Sequence, residues 1–389
     1  MPIKLPPARP VVALPNLAQP LPATAQVVQA AGGTFRIDRI VLVDSGRRSG
    51  VEILLIDTGR VRAAILPTRG MSLWRAHIDG IDLGWKSPVD GPIHPQWVEI
   101  SEPSGIGWLD GFDELLVRCG MQSFGAPDFD SKTGRLAYPL HGRVGNLPAD
   151  SLEIEVDSAH SLLHVRGRVV ESRFLQYNLQ LHTAYTFALA SPVIEIHDRV
   201  RNAGQTAAGI QMLYHINIGQ PLLSAGAKLH LAPDRIVARD AHAANDLADW
   251  ATYADPTPGY VEQVYFSSSK PAAKGWASSM LVASDKKRAF AVHYETKNLP
   301  FFSQWKNTVG ELDGYVTGIE PGTGFPNPRT FEQEHGRVVK LDSEAELEFN
   351  LKLEGIATVD RIEQLSKQLQ SGADAQGVPF DDQWCLPRD

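Results

Sequence analysis

Two histidines, a glutamate and their polar neighbours carry the chemistry that this sequence can perform. His215 sits in LYHINIGQPLL, residues 213–223, inside an otherwise apolar run. Side chains two apart in a strand share a face. Leu213, His215 and Asn217 therefore project one way, and Tyr214, Ile216 and Ile218 the other. A strand backing a polar cavity would read this way, and so would a core histidine satisfied by its neighbours. Glu320 closes the β-rich part of YVTGIEPGTGFPNPRTF, residues 315–331, before a proline and glycine loop. A carboxylate at the end of an apolar strand is partly desolvated, which raises its pKa and makes it a better base near neutrality. The alternative is a solvated strand end.

A third group lies in YPLHGRVGNLPA, residues 138–149. Glycine permits a tight turn, so His141 and Arg143 can point from a constrained loop toward a ligand. The same residues fit a capped turn and a structural ion pair. Joined together, these signals make His215 a general acid, Glu320 a general base, and His141 and Arg143 substrate-orienting groups. Arg69 and Arg143 both suit a planar carboxylate or phosphate, although either also suits an ion pair within the protein. Asn217 belongs with His215 among the expected binding residues. The loop 85–127 holds Trp85, Trp97 and Trp108 among many glycines and prolines. Indoles can floor a sugar ring, or simply pin a long loop to the body. Trp108 and Trp305 are the aromatic residues expected to face the substrate. For such a pair, the acidic limb of a pH profile is expected to follow Glu320 and the basic limb His215, with an optimum near neutral or mildly acidic pH.

Other chemistries lack their signatures. The sequence has no GxGxxG after a first strand, no Walker A segment, no GxSxG elbow and no HExxH. No metal site is expected, although His94, His141 and His215 could still converge with a carboxylate in space. The 389 residues carry a formal net charge of -8 and no long basic block, so a nucleic-acid partner gets little support. Two distant cysteines, Cys119 and Cys385, form no disulfide framework and suit a reducing compartment, here the cytoplasm. Six prolines between Pro6 and Pro22 break any signal-peptide helix, and no apolar run is long enough for a bilayer span.

The elements that must hold these residues are strands. TFRIDRIVLVDSG, VEILLIDTG and VRAAILPTRG follow one another from residue 34, separated by glycine turns. Alternation predicts further strands at 208–218, 227–231, 261–267, 278–284, 288–295, 313–320 and 345–354. DGFDELLVRCGM and AHAANDLADWATYA are short helical candidates, and GRVVKLDSEAELEFNLKLEG reads as a hairpin. The expected fold is all-β: a large antiparallel β-sandwich with few short helices. The expected organisation is a proline-rich arm over 1–33, one catalytic sandwich over 34–360 and a tail over 361–389.

Five segments, in order over residues 60 to about 355, carry a family resemblance: LPTRGMSLWRAHIDGIDLGWKSP, GIGWLDGFDELLVRCG, LHGRVGNLPA, LYHINIGQPLL and GIEPGTGFPNPR. The chain resembles the aldose 1-epimerase (galactose mutarotase-like) superfamily, and within it the DUF4432-type bacterial branch. The resemblance implies a β-sandwich with a sugar cleft. It carries the general-acid role to His215, the base role to Glu320 and a sugar contact to His141, with Arg143 as a further binder. The surroundings of His215 depart from the family pattern, since tyrosine precedes it where asparagine is usual. The family's sugar-gripping aspartate has two candidates here, Asp234 and Asp240. The resulting expectation is a cofactor-free enzyme, monomer or homodimer, that interconverts anomers of a free sugar or sugar acid. A carbon-centre epimerase, with or without a metal, and a non-catalytic carbohydrate-binding protein are the alternatives.

Overall fold

The structure, a computed structural model, describes residues 1–269, 275–370 and 376–386. Two large sheets pack face to face, one of nine strands and one of fifteen. Their burial patterns differ, and that difference locates the site. In the nine-stranded sheet, Leu162–Arg173 and Tyr177–Ala188 alternate between buried and partly exposed side chains along most of their length. Such alternation marks an antiparallel sheet with one face on the core and one in water. In the larger sheet, every residue of Val316–Gly322 and all but the first two of Ala208–Ile218 are buried. Both faces of that sheet are covered, one by the core and the other by long loops. The core interdigitates Val165, Leu181, Ile196 and Leu351 with Ile56, Ile65, Tyr214, Ile216 and Ile319.

The centre of the larger sheet runs in the order Ser72–Ile78, Leu116–Met121, Ala208–Ile218, Val316–Gly322, Phe301–Asn307 and Gln263–Ser269. The expected strand over 208–218 is present with those bounds. Two expectations need correction. The second half of DGFDELLVRCGM is the strand Leu116–Met121, because its apolar residues pair along Ala208–Ile218; only Gly107–Gly111 turns as a short 3-10 helix. The supposed hairpin after residue 336 is two strands that part company. Val339–Leu341 pairs with Ala208–Ile218, whereas Glu346–Ile356 enters the nine-stranded sheet.

The N-terminal strands and a late helix are built into the body. Pro2–Ile3 pairs with Ala149–Asp157, and Arg9–Val11 runs parallel to Gly33–Leu42. The boundary drawn at residue 361 falls inside a helix, Val359–Gln370. Its Ile362, Leu365 and Leu369, at helical spacing, cover Met280, Val282, Ala291 and Ile356. Among the described residues no helix is long and apolar enough to cross a membrane.

Candidate active site

Register brings His215 and Glu320 together. Ala208–Ile218 and Val316–Gly322 are antiparallel neighbours that pair Leu213 with Gly322 and Ile216 with Ile319. That register sets His215 opposite Glu320, and their side chains meet on the loop-covered face. His215 Nε2 lies 3.3 Å from Glu320 Oε1, with both side chains almost fully buried. The contact is close enough for an ion pair but misses hydrogen-bond geometry, so Oε1 is a buried oxygen without a hydrogen-bond partner. Buried polar atoms in native proteins are nearly always paired, and an exception calls for an explanation. Glu320 lines the adjoining cavity, from which a donor could reach it.

Asn217, next along the same face, sets the tautomer of His215. Its Nδ2 donates to the carbonyl oxygens of Glu114 and His215, at 3.0 and 3.2 Å. Both are acceptors, so the amide orientation is determined and Oδ1 must face the imidazole. His215 Nδ1 therefore carries a proton and donates it to Asn217 Oδ1 at 2.6 Å. In the neutral ring, Nε2 is left as an acceptor toward Glu320 and the cavity.

Burial dominates the electrostatics. It pushes the Glu320 carboxyl well above the usual carboxylate range; Glu262 adds to the rise and Arg239 opposes it. Burial also pushes His215 well below the usual imidazole range, with His141 adding to the fall and the Asn217 bond opposing it. Both shifts favour the uncharged pair, a carboxylic acid beside an imidazole. It holds one exchangeable proton, the same number as a carboxylate beside an imidazolium.

His141 enters from the turn after Tyr138 with φ 56°, in the left-handed region that is uncommon outside glycine. Gly142 makes the turn possible, since a Cβ there would lie 2.2 Å from the carbonyl oxygen of Gly120. His141 Nδ1 donates to the carbonyl of Phe124 at 2.7 Å. Burial lowers its pKa to about 4, so it too is neutral at physiological pH. The two imidazole rings stand 5.1 Å apart and nearly perpendicular.

These groups open into a cavity of about 270 Å³ lined also by Trp108, Phe112, Leu140, Trp305, Glu262 and Arg239. Trp108 packs edge-on against His141, and Trp305 against His215. Glu262 Oε2 accepts from Trp305 Nε1 at 2.6 Å while its Oε1 accepts from Arg239 at 2.9 Å. One carboxylate thus holds both an aromatic wall and the cavity's cation. The volume lies at the lower end for small-molecule sites, about 300 Å³.

The cavity takes in His215, Glu320, His141, Trp108 and Trp305 from the sequence-derived set. Asn217 is bonded to His215 Nδ1 and does not line the cavity. Arg69 is a correction. It is 1% exposed and directs its guanidinium to Glu114, Asn146 Oδ1 and the carbonyls of Ile93 and Gly111, so it clamps loops and is closed to a ligand. Arg143 donates to Ser101 Oγ and does not line the cavity. Asp240 caps the helix Ala241–Asn245, and Asp234 is an exposed residue that accepts from Ser268. Of the loop tryptophans, Trp85 supports Phe112 from behind and Trp97 is largely exposed. His94 caps the short turn Pro95–Trp97. Among the described residues no three His, Cys, Asp or Glu side chains are grouped to hold a metal ion.

Glu262 and Arg239 were missed from sequence. A signal existed for the first: Glu262, just before the strand Gln263–Ser269, is in phase with the buried Val264. A charge in phase with buried apolar residues marks a cavity-facing position. Arg239, just beyond the strand Pro233–Ala238, offered no comparable cue.

The sequence profile of DUF4432, described as a domain of unknown function, matches residues 48–354. A candidate aldose 1-epimerase of known structure from Klebsiella pneumoniae subsp. pneumoniae is 30% identical, with TM-score 0.86 over 92% of both chains. A galactose mutarotase-like protein from Clostridium acetobutylicum shares the fold at 12% identity and TM-score 0.56, over 79% of this chain and 96% of its own. Galactose 1-epimerase from Lactobacillus acidophilus does so at 11% identity and TM-score 0.52, over 83% and 99%. No curated protein matches this chain.

Proposed function

This chain belongs to the DUF4432 family within the galactose mutarotase-like fold, and from that premise we propose that it interconverts the anomers of a free monosaccharide by acid–base catalysis. The observation that carries the reading is the buried His215–Glu320 pair, with an unpartnered Glu320 oxygen at an aromatic-walled cavity. A hemiacetal carbon bears two oxygens, the C1 hydroxyl and the ring oxygen. Two groups 3.3 Å apart can serve both.

In the proposed sequence the sugar rests against Trp108 and Trp305, and its C1 hydroxyl donates to Glu320 Oε1. A hydrogen bond to the charged form of a carboxyl favours that form. The pair's single proton therefore shifts from Glu320 to His215 Nε2, while Asn217 steadies the proton on Nδ1. Glu320 then takes the C1 hydroxyl proton as His215 Nε2–H protonates the ring oxygen. The C1–O5 bond breaks, the carbonyl forms, and rotation about C1–C2 presents its other face. Closure with the roles reversed returns every proton and leaves the opposite anomer. His141, fixed in its neutral form, accepts a hydroxyl at Nε2, and Glu262 with Arg239 engages hydroxyls on the far side of the ring.

The test follows anomer equilibration by NMR across neutral aldoses, ketoses and uronic acids in deuterated solvent. Acceleration for at least one sugar, with no deuterium entering carbon, is expected. Deuterium at a carbon would instead identify a carbon-centre epimerase, and binding without any acceleration a carbohydrate-binding protein.

A further inference from the structure

The helix Arg329–Glu334 opens on an arginine that anomer interconversion leaves unused. Arg329 is 8% exposed, and its Nη1 is buried without a hydrogen-bond partner. Among the described residues Nη2 reaches only the Gly209 carbonyl, at 3.4 Å, and the guanidinium lies over the ring of Tyr138. Among the described residues no carboxylate pairs with it. The neighbouring Arg337 shows the ordinary arrangement, bound twice by Glu332. A buried charge without a counter-charge is expensive, so one that persists points to a partner.

Arg329 lines a separate cavity of about 690 Å³, between the chain turn around Phe174 and the loop preceding Ala208–Ile218. Arg173 lines it as well, with the amides of Gln122, Gln176, Asn178, Asn202 and Gln205. No aspartate or glutamate lines it, in a chain of net charge -8. The adjacent acid, Glu171, turns inward and accepts from the Met121 amide. Asn178 Oδ1 is a buried acceptor with no donor. Gly209 gives the guanidinium its seat, since a Cβ there would come within 2.6 Å of Nη2. The cavity shares no lining residue with the one at His215.

We propose that this second cavity binds a small oxyanion carried on a polyol, a carboxylate or a phosphate. The oxyanion takes the Arg329 guanidinium, and a ligand hydroxyl donates to Asn178 Oδ1. Guanidinium matches such oxygens in geometry as well as charge. The site is distinct from the acid–base pair and does not depend on the reaction proposed there.

Titration calorimetry of the full chain with gluconate, glucose 6-phosphate and inorganic phosphate tests this. At least one of the three is expected to bind in the millimolar range or tighter; the first two separate carboxylate from phosphate recognition. Arg329→Gln should weaken that binding about tenfold or more, the loss of one charge-assisted hydrogen bond. Gln205→Glu, an exposed substitution that puts a carboxylate at the rim, should weaken it several-fold without touching the core. His215→Asn should leave it unchanged. Absence of binding for all three probes would overturn the proposal. So would binding that ignores both Arg329→Gln and Gln205→Glu, or that is lost only in His215→Asn. Should Arg329→Gln fail to fold, the Gln205→Glu result decides.

Discussion

The strand Ala208–Ile218 carries a buried polar cluster on each of its faces, and the two are built to opposite rules. On the core face, Tyr214 donates to Asp198, which also binds Arg118 through Nε and Nη2. Arg118 further reaches Thr183, Tyr185 and the Met71 carbonyl, so each of its nitrogens has a partner. On the loop face, His215 has one nitrogen fixed by Asn217, while the other meets a Glu320 oxygen with no hydrogen-bond partner. The saturated cluster ties one sheet to the other. The unsaturated one holds spare hydrogen-bonding capacity at a cavity, the condition a substrate needs. Burial is the same in the two clusters; the completeness of pairing differs.

The strongest way to break this comparison is to neutralise each cluster in turn. Glu320→Gln should lower kcat/KM for anomer exchange by about 10²–10⁴-fold, the range for a lost acid–base group. It should not cost stability. A raised folded pKa means that the carboxyl's stabilising contribution is present below the unfolded value, about 4.3, and is lost as pH climbs through the folded one. Glutamine does not ionise, so thermal melts at alkaline pH should show the variant at least as stable as wild type. Asp198→Ala should do the reverse. Leaving Arg118 buried and unpaired should cost about 3–5 kcal/mol in urea unfolding. A cost below about 1 kcal/mol, the worth of an exposed pair, would contradict the structural reading of that cluster.

The pH profile sharpens the comparison from the functional side. Burial raises Glu320 and lowers His215, which exchanges the limbs expected from the sequence. The one-proton state is lost on acidification when His215 gains a proton, and on alkalinisation when Glu320 ionises. The plateau of kcat/KM should therefore extend below the ordinary imidazole value of about 6.5 and well above the ordinary carboxylate value. Both apparent values belong to the pair. Residual activity of Glu320→Gln should lack the alkaline limb, and persistence of that limb would remove Glu320 from the basic ionisation.

Smaller effects probe positioning. Asn217→Ala frees the His215 tautomer and should lower kcat by about five- to tenfold, near the worth of one hydrogen bond, with KM nearly constant. A KM change with kcat intact would make Asn217 a binding residue instead. Gly318 lies beneath Glu320, where an added Cβ would sit 2.1 Å from Oε1. Gly318→Ala should push that flexible carboxyl aside, lowering activity several-fold while the melting temperature barely moves. A large fall in melting temperature would instead mean that the backbone gives way.

Much of the strand content was legible. Ala208–Ile218 could be bounded from its apolar run, and period-two alternation placed His215 and Asn217 on one face. The helix Val359–Gln370 was also readable, since Ile362, Leu365 and Leu369 keep helical spacing, yet its polar composition obscured it. The fate of the arginines was not legible. Arg69 and Arg329 are both buried, but one is surrounded by acceptors from three loops and the other has a lone carbonyl.

The sequence by itself determined the strand-rich fold, the faces of the strands and the residue types able to move a proton. These follow from periodicity and side-chain chemistry, which are local. Only the tertiary structure decided which of them meet. His215 and Glu320 become partners through a register set by long-range pairing, and Glu262 and Arg239 join them from the ends of other strands of the same sheet. Protonation was decided there as well. The pKa values follow desolvation, and desolvation depends on how the loops close over the sheet rather than on any neighbour in the chain.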